Sequence, residues 1–237
     1  MKTFMKNNKF AAIIFACLIL CLGCKKINFN LFGSDDYEKI ASELIYDGMQ
    51  NYKDEDYKEA LENFQKLQDM YPFHKQAILA ELKEADSYYQ LGKYDDAVMV
   101  YEEFETLHPK NEAIPYVVYQ QGLCHFEQIK TSDRDQASAY KAIEIFERVK
   151  SNYPNTEYGK KADNLIMQCL KSIANHELYV GKFYFKAKNY KAALNRLKRV
   201  VSNFPDKGTH HEAMLYITEC ENKLKKKELK NNKKEQK

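Results

Sequence analysis

The sequence contains no tryptophan and little glycine or proline, with eight glycines and five prolines among 237 residues. It has no glycine-rich loop ending in Lys-Ser or Lys-Thr, which excludes a phosphate-binding loop of that type. It has no His-Glu-x-x-His motif, and the adjacent His210 and His211 would point about 100° apart on a helix, too far to share a metal ion. No order of Ser, His and Asp, or of Cys and His, indicates a nucleophile. We therefore expect no catalytic residue, no metal site and no cofactor.

An excess of charge of either sign is also missing, since 37 Lys and Arg stand against 34 Asp and Glu, for a net charge of +3. Nucleic-acid-binding proteins usually carry a concentrated basic face, so we expect no nucleic-acid partner. The exception is residues 221–237, which hold eight lysines and three glutamates. We expect residues 225–237 to form a solvated, disordered tail. The alternative is a weak attraction to anionic lipid head groups or to an acidic partner.

The N-terminus has the pattern of an export signal. Three lysines precede an unbroken apolar run over residues 10–22, which is too short to span a bilayer as a helix. The run ends in Cys-Leu-Gly-Cys, which is typical of a bacterial lipobox, so we expect cleavage after residue 23 and lipidation of Cys24. Residues 1–23 would then be the signal peptide and residues 24–35 a lipidated tether. The alternative is a conventional export signal with an incidental cysteine.

Only three cysteines remain in the body of the chain, at Cys124, Cys169 and Cys220. An odd number in an exported protein does not make a full disulfide framework. All three lie among apolar residues on predicted helices, so we expect them to be buried as small hydrophobic side chains.

The most informative feature present is an internal repeat, because repeats decide the architecture. Four alanines are each followed, twelve residues later, by a proline: Ala60/Pro72, Ala97/Pro109, Ala142/Pro154 and Ala193/Pro205. Apolar residues recur four and seven positions after each alanine, which is one face of an α-helix. The proline then predicts the end of that helix.

A second helix is predicted before each of these. Small residues recur twelve positions before the alanine at Gly48, Ala85 and Gly181, and Gly122 is the displaced equivalent in the third unit. Helical hairpins of this pattern resemble tetratricopeptide repeats, with an ordinary helical bundle as the alternative. We therefore predict an all-α fold over residues 36–224. It would be a tetratricopeptide-repeat superhelix, or α-solenoid, of about ten helices with four full units and a terminal helix.

Three stretches narrow the resemblance further. They are Tyr71-Pro72-Phe73 at the end of unit one, Asp133-Arg134-Asp135 opening the second helix of unit three after an insertion, and residues 176–205 in unit four. Together with the lipobox and the repeats, these stretches resemble the BamD family of lipoproteins in the outer-membrane β-barrel assembly machinery. The resemblance runs from Cys24 to about Leu224.

The resemblance implies a non-enzymatic scaffold and substrate receptor, lipid-anchored at the periplasmic face of the outer membrane. The implied partners are a BamA-type barrel protein with POTRA domains, other lipoproteins of the machinery and unfolded outer-membrane proteins. A second hypothesis is a periplasmic repeat lipoprotein that binds cell-wall or carbohydrate material.

The resemblance also implies two sites. The candidate substrate groove comprises Tyr71 and Phe73, bordered by Asp133, Arg134 and Asp135. The candidate partner interface comprises Asn195 and Arg196, where a guanidinium would bind a partner carboxylate through two hydrogen bonds. For Arg196, an ion pair with an acidic residue of the same chain is the alternative.

Overall fold

The computed structural model describes residues 34–204 and 208–235, and within these ranges it contains nine α-helices and no strand. Cys24, the signal peptide and Pro205 lie outside the described residues. The helices are α1 (Ser34–Lys53), α2 (Tyr57–Met70), α3 (Ala77–Gln90), α4 (Tyr94–Leu107), α5 (Ile114–Glu127), α6 (Ala137–Asn152), α7 (Glu157–Lys186), α8 (Tyr190–Asn203) and α9 (His210–Glu235).

The chain divides into two compact units. The first ends at Ala41, and its described part is the N-terminal segment of α1, from Ser34 to Ala41. The second is Ser42–Lys237, and all of the packing described below lies within it.

From α2 onward, each helix packs against the next one along the chain, and short connections make neighbours antiparallel. Helix α5 also contacts α7, and α7 contacts α9. A stack in which each hairpin touches mainly its sequence neighbours is a solenoid. The predicted all-α tetratricopeptide-repeat architecture is therefore confirmed.

Glycine lies at three of the helix crossings, as the repeat predicts. A Cβ atom on Gly48 would lie 2.6 Å from Phe64 Cε1, and one on Gly122 would lie 2.5 Å from Phe146 Cε1. A Cβ on Gly181 would lie 2.7 Å from Leu197 Cδ2. Each glycine thus lets a large side chain of the second helix lie directly on the backbone of the first. Gly122 occupies this place even though the insertion displaces it in sequence.

The second helix of each hairpin ends just before its proline position, which confirms the predicted ends. The C-cap residue, which follows the last helical residue, lies outside helical geometry, and its N–H donates to a carbonyl of the preceding turn. These residues are Tyr71, His108, Tyr153 and Phe204, which donate to Leu67, Phe104, Val149 and Val200.

The structure differs from the sequence prediction at two places. Asp133, Arg134 and Asp135 do not open α6 but lie in the connection before it, where Asp135 Oδ1 accepts from the N–H of Ala137 at 2.8 Å. Helix α9 does not give way to disorder near residue 225 but continues to Glu235. Lysine, glutamate and leucine are good helix formers, and no glycine or proline interrupts them there.

The predicted burial of the three body cysteines is confirmed, and all three are free thiols. Burial raises the pKa of Cys124 to about 12 and that of Cys169 to about 11, so both are held as neutral thiols. Among the described helices, none has the length and apolar character needed to cross a membrane.

Candidate functional site

The predicted interface residue Arg196 lies in the α7–α8 hairpin, over a buried carboxylate. Helix α7 begins at the N-cap Thr156, whose hydroxyl accepts from the N–H of Gly159, and α8 begins at the N-cap Asn189. Across this hairpin, Arg196 Nη1 donates to both oxygens of Glu177, at 3.1 and 3.2 Å. The Glu177 side chain is only 4% exposed. The ion pair within the chain is therefore present.

A second arginine shares the same carboxylate. Arg199 Nη1 lies 3.2 Å from Glu177 Oε1, so two guanidinium groups flank one carboxylate and the cluster keeps a net positive charge. The side chains of Arg196 and Arg199 are 37% and 49% exposed. A guanidinium has five N–H donors, and the contacts to Glu177 occupy only part of them. Asn195 beside them is exposed.

The insertion of unit three, around residues 129–138, docks on the long helix α7. Gln136 Nε2 donates to the carbonyls of Lys130, Thr131 and Arg134 at 3.1–3.3 Å, and Gln136 Oε1 accepts from Ser172 Oγ at 2.7 Å. His176 Nδ1 lies 2.8 Å from the carbonyl oxygen of Ser132. Gln136 is buried, so this one side chain fixes both the shape of the loop and its position on α7.

A cleft of about 450 Å³ lies where the insertion meets α7. Lys130, Thr131 and Ser132 line one side, and Asn175, Tyr179 and Lys182 are among the residues of the other. Lys182 Nζ is paired with Glu212 Oε1 of α9 at 2.6 Å. One turn beyond Tyr179 on α7, Phe183 is 60% exposed. This side of α7 therefore combines hydroxyl and amide groups with exposed aromatic rings.

The predicted substrate groove is not a single site in the structure. Tyr71 is buried as the C-cap of α2, whereas Phe73 in the next connection is 96% exposed. Asp133 and Arg134 are exposed and face each other, with Arg134 Nε 3.8 Å from Asp133 Oδ2.

The two halves of that prediction lie at opposite ends of the helical stack. Phe73 is in the α2–α3 connection, and residues 133–135 are in the α5–α6 connection. Connections alternate between the two ends because neighbouring helices are antiparallel, and helices of 14 residues hold the ends about 21 Å apart. The prediction that Asp133, Arg134 and Asp135 border the Tyr71 and Phe73 site is wrong in this respect.

Another buried polar cluster lies inside the α3–α5 stack. Asp86, 1% exposed, accepts from Tyr101 OH at 2.6 Å, from Tyr116 OH at 2.7 Å and from Lys83 Nζ at 2.7 Å. Burial, together with the charge of Asp86, raises the pKa of both tyrosines. Three helices are thus joined by one satisfied carboxylate, which is a packing role.

Sequence reasoning missed Glu177 as the partner of Arg196, the second arginine at Arg199 and the anchoring amide of Gln136. The separation of 19 residues between Glu177 and Arg196 carries no local signal, because it depends on how the hairpin closes. A buried polar partner such as Asp86 could have been expected from one feature of the sequence. Tyr101 stands where Phe64, Phe146 and Leu197 stand in the other units, and a buried hydroxyl requires a partner.

Comparison with known proteins identifies the family. The family described as "YfiO: Outer membrane lipoprotein" matches residues 37–236. The chain belongs to this family. It is 30% identical over 217 residues to the outer membrane protein assembly factor BamD of Rickettsia prowazekii. The aligned residues cover 91% of this chain and 84% of that protein.

Other relatives carry the same name. The BamD of Caulobacter vibrioides is 28% identical over 78% of this chain and 61% of that protein, and the BamD of Xylella fastidiosa is 25% identical over 97% and 81%. Among solved structures, the TPR2AB domain of yeast Sti1 is similar at a TM-score of 0.49, with 16% identity over 78% of this chain and 71% of that chain. Membership of the YfiO family associates the chain with the outer membrane.

Proposed function

We propose that this YfiO-family chain is an outer-membrane protein assembly factor, a non-enzymatic scaffold and substrate receptor for the insertion of β-barrel proteins. The observation that carries the proposal is the match to curated BamD proteins, which spans 91% of the chain for the Rickettsia relative. The relatives favour this function over the binding of cell-wall or carbohydrate material. The proposed location is the periplasmic face of the outer membrane, with the lipid anchor on Cys24.

The proposed partner interface is the α7–α8 hairpin. Asn195 is exposed and Arg196 keeps N–H donors beyond its contacts with Glu177. A carboxylate on a POTRA domain of a BamA-type barrel protein is the complementary group. Other lipoproteins of the machinery would join through further surfaces of the stack.

The proposed contact for unfolded outer-membrane proteins includes Phe73. An exposed ring gives apolar area to an extended chain segment, and little side-chain freedom is lost when it is covered. A photo-crosslinking residue placed at Phe73 should capture unfolded barrel proteins. The matched control is Leu107, the last residue of α4, whose apolar side chain is 60% exposed. Equal capture at both positions would refute the assignment of Phe73 as a specific contact for unfolded barrel proteins.

The general proposal is tested by depletion of the chain and by affinity purification. Depletion should lower the amount of barrel proteins in the outer membrane, and purification should recover a barrel protein with POTRA domains. Normal barrel levels together with the absence of such a partner would refute the proposal. Sedimentation of the purified chain with peptidoglycan would support the cell-wall alternative.

The interface assignment needs a test that separates binding from folding. Arg196→Glu is unsuitable, because it would place a second carboxylate against buried Glu177. Arg196→Ala and Glu177→Gln both remove the internal ion pair, but only the first removes the guanidinium. A hydrogen bond to a charged group contributes roughly 1.5–3 kcal/mol, so Arg196→Ala should weaken partner binding at least about tenfold. Glu177→Gln should leave binding nearly unchanged, and equal losses in both variants would refute a direct contact.

A further inference from the structure

The last helix carries a row of lysines without internal partners. Lys223, Lys226, Lys227 and Lys230 follow the spacing of one helix face, and all four are exposed. Within the side chains that the structure describes, no acidic residue forms an ion pair with any of them. Like charges at this spacing destabilise a helix, so the row is unfavourable in the isolated chain.

Several lysines elsewhere on the helical stack have an acidic partner. Lys150 is paired with Asp163 at 2.7 Å, Lys161 with Glu157 at 2.9 Å, and Lys182 with Glu212 at 2.6 Å. Even on α8, Lys198 faces Glu221 of α9 at 3.5 Å. The lysine row beyond this last pair is therefore a local concentration of unneutralised positive charge.

A cleft of about 500 Å³ adjoins the lysine row, between α9 and the start of α8. Lys188 and Lys191 line it from the α8 side and Lys227 from the α9 side, opposed by a single carboxylate at Glu228. Tyr190 and Leu224 add apolar surface. The cleft thus offers three ammonium groups around an apolar patch.

We propose that this cleft and the lysine row bind an acidic, partly apolar segment of a partner protein. Carboxylates of the segment would neutralise Lys188, Lys191 and Lys227, and its apolar side chains would cover Tyr190 and Leu224. An anionic lipid surface complements the convex lysine row, but it does not fill a concave cleft with an apolar patch. The proposal does not depend on the assembly-factor function, since it rests only on charge and shape.

The test measures binding of fluorescein-labelled peptides to the full chain in nonionic detergent. The probe alternates Glu and Leu, and its control alternates Gln and Leu. The Glu peptide should bind with an affinity that falls as salt is raised, while the Gln peptide should not bind detectably. Reversing two charges, in Lys191→Glu/Lys227→Glu, should weaken binding on the order of tenfold, and the neutral Lys191→Gln/Lys227→Gln less.

The matched control is Lys160→Glu/Lys171→Glu, which makes the same charge change at exposed positions of α7 that have no described ion pair. Unchanged helical circular dichroism in every variant shows that folding is intact. The proposal is overturned if the Gln peptide binds as well as the Glu peptide, or if the control variant loses as much affinity. It is also overturned if the lysine variants affect binding only to phosphatidylglycerol vesicles, because the surface would then be a membrane contact.

Discussion

The cluster of Glu177, Arg196 and Arg199 predicts a strongly non-additive loss of stability. Either arginine alone can neutralise the Glu177 carboxylate, because both lie within 3.2 Å of it. Since the arginine side chains are 37% and 49% exposed, each single change to alanine should cost only about 1 kcal/mol in free energy of unfolding. Removing both leaves the Glu177 carboxylate, which is 4% exposed in the intact cluster, without either of its arginine partners. That state should cost about 3–5 kcal/mol, the range found for broken buried pairs.

The assay is urea unfolding followed by circular dichroism, with free energies compared in a double-mutant cycle. Arg196→Ala/Arg199→Ala should be less stable than the sum of the single variants by at least about 1 kcal/mol, within the range of coupling between contacting residues. Adding Glu177→Gln to the double variant should restore stability, because it removes the stranded charge. Lys198→Ala, on an exposed pair of the same helix, should stay within about 0.5 kcal/mol of wild type. Additive single variants, or a double variant that Glu177→Gln does not rescue, would refute this account of the cluster.

Three further predictions concern the helix crossing, the thiols and the insertion. Gly122→Ala should lower the free energy of unfolding in urea by about 1–3 kcal/mol, since its Cβ would lie 2.5 Å from Phe146 Cε1, and Phe146→Leu should relieve part of that loss. The pKa of Cys124 is raised from its ordinary value of 9.0 to about 12. The contribution of this neutral thiol to the free energy of unfolding is therefore complete below pH 9 and is lost as pH rises towards 12. The urea midpoint should therefore fall over that window, and Cys124→Ala, the matched variant, should show a smaller fall. Gln136→Ala should expose Arg134 to limited trypsin cleavage by releasing three carbonyl contacts, whereas Gln128→Ala in the same connection should not.

The repeat is predictable from the sequence because its geometry is local. Each second helix must bring an alanine face onto the first helix and end at a proline, and both requirements have fixed spacings. The glycine crossings are predictable for the same reason, since only glycine accommodates Phe64, Phe146 or Leu197 lying on the helix backbone. Even the displaced Gly122 was identifiable, because the insertion lengthens a connection and leaves the crossing unchanged.

The site is much less predictable, because its contacts join distant positions. No feature of the neighbouring sequence marks Glu177 as buried, and only the closed hairpin shows that it is. Gln136 gives no sign that its amide will bind three carbonyls of the preceding loop. Phe73 and Asp133 were assigned to one groove by resemblance, and the alternation of helix direction separates them. The helix over residues 225–235 was missed because a lysine-rich segment is compatible with both disorder and helix.

Helix α7 explains why a buried charge is placed at this point of the stack. Its buried apolar residues up to Ala174 belong to the core shared with α3, α4, α5 and α6, whereas Leu178 belongs to the core shared with α8 and α9. Glu177 lies at the boundary between these two cores, so its pairing with Arg196 and Arg199 joins α8 to α7 at that boundary. Loss of both arginines should therefore increase hydrogen exchange first in α8 and α9, while the amides of α4 and α5 keep their protection. Uniform loss of protection across all helices would show instead that the two cores unfold together.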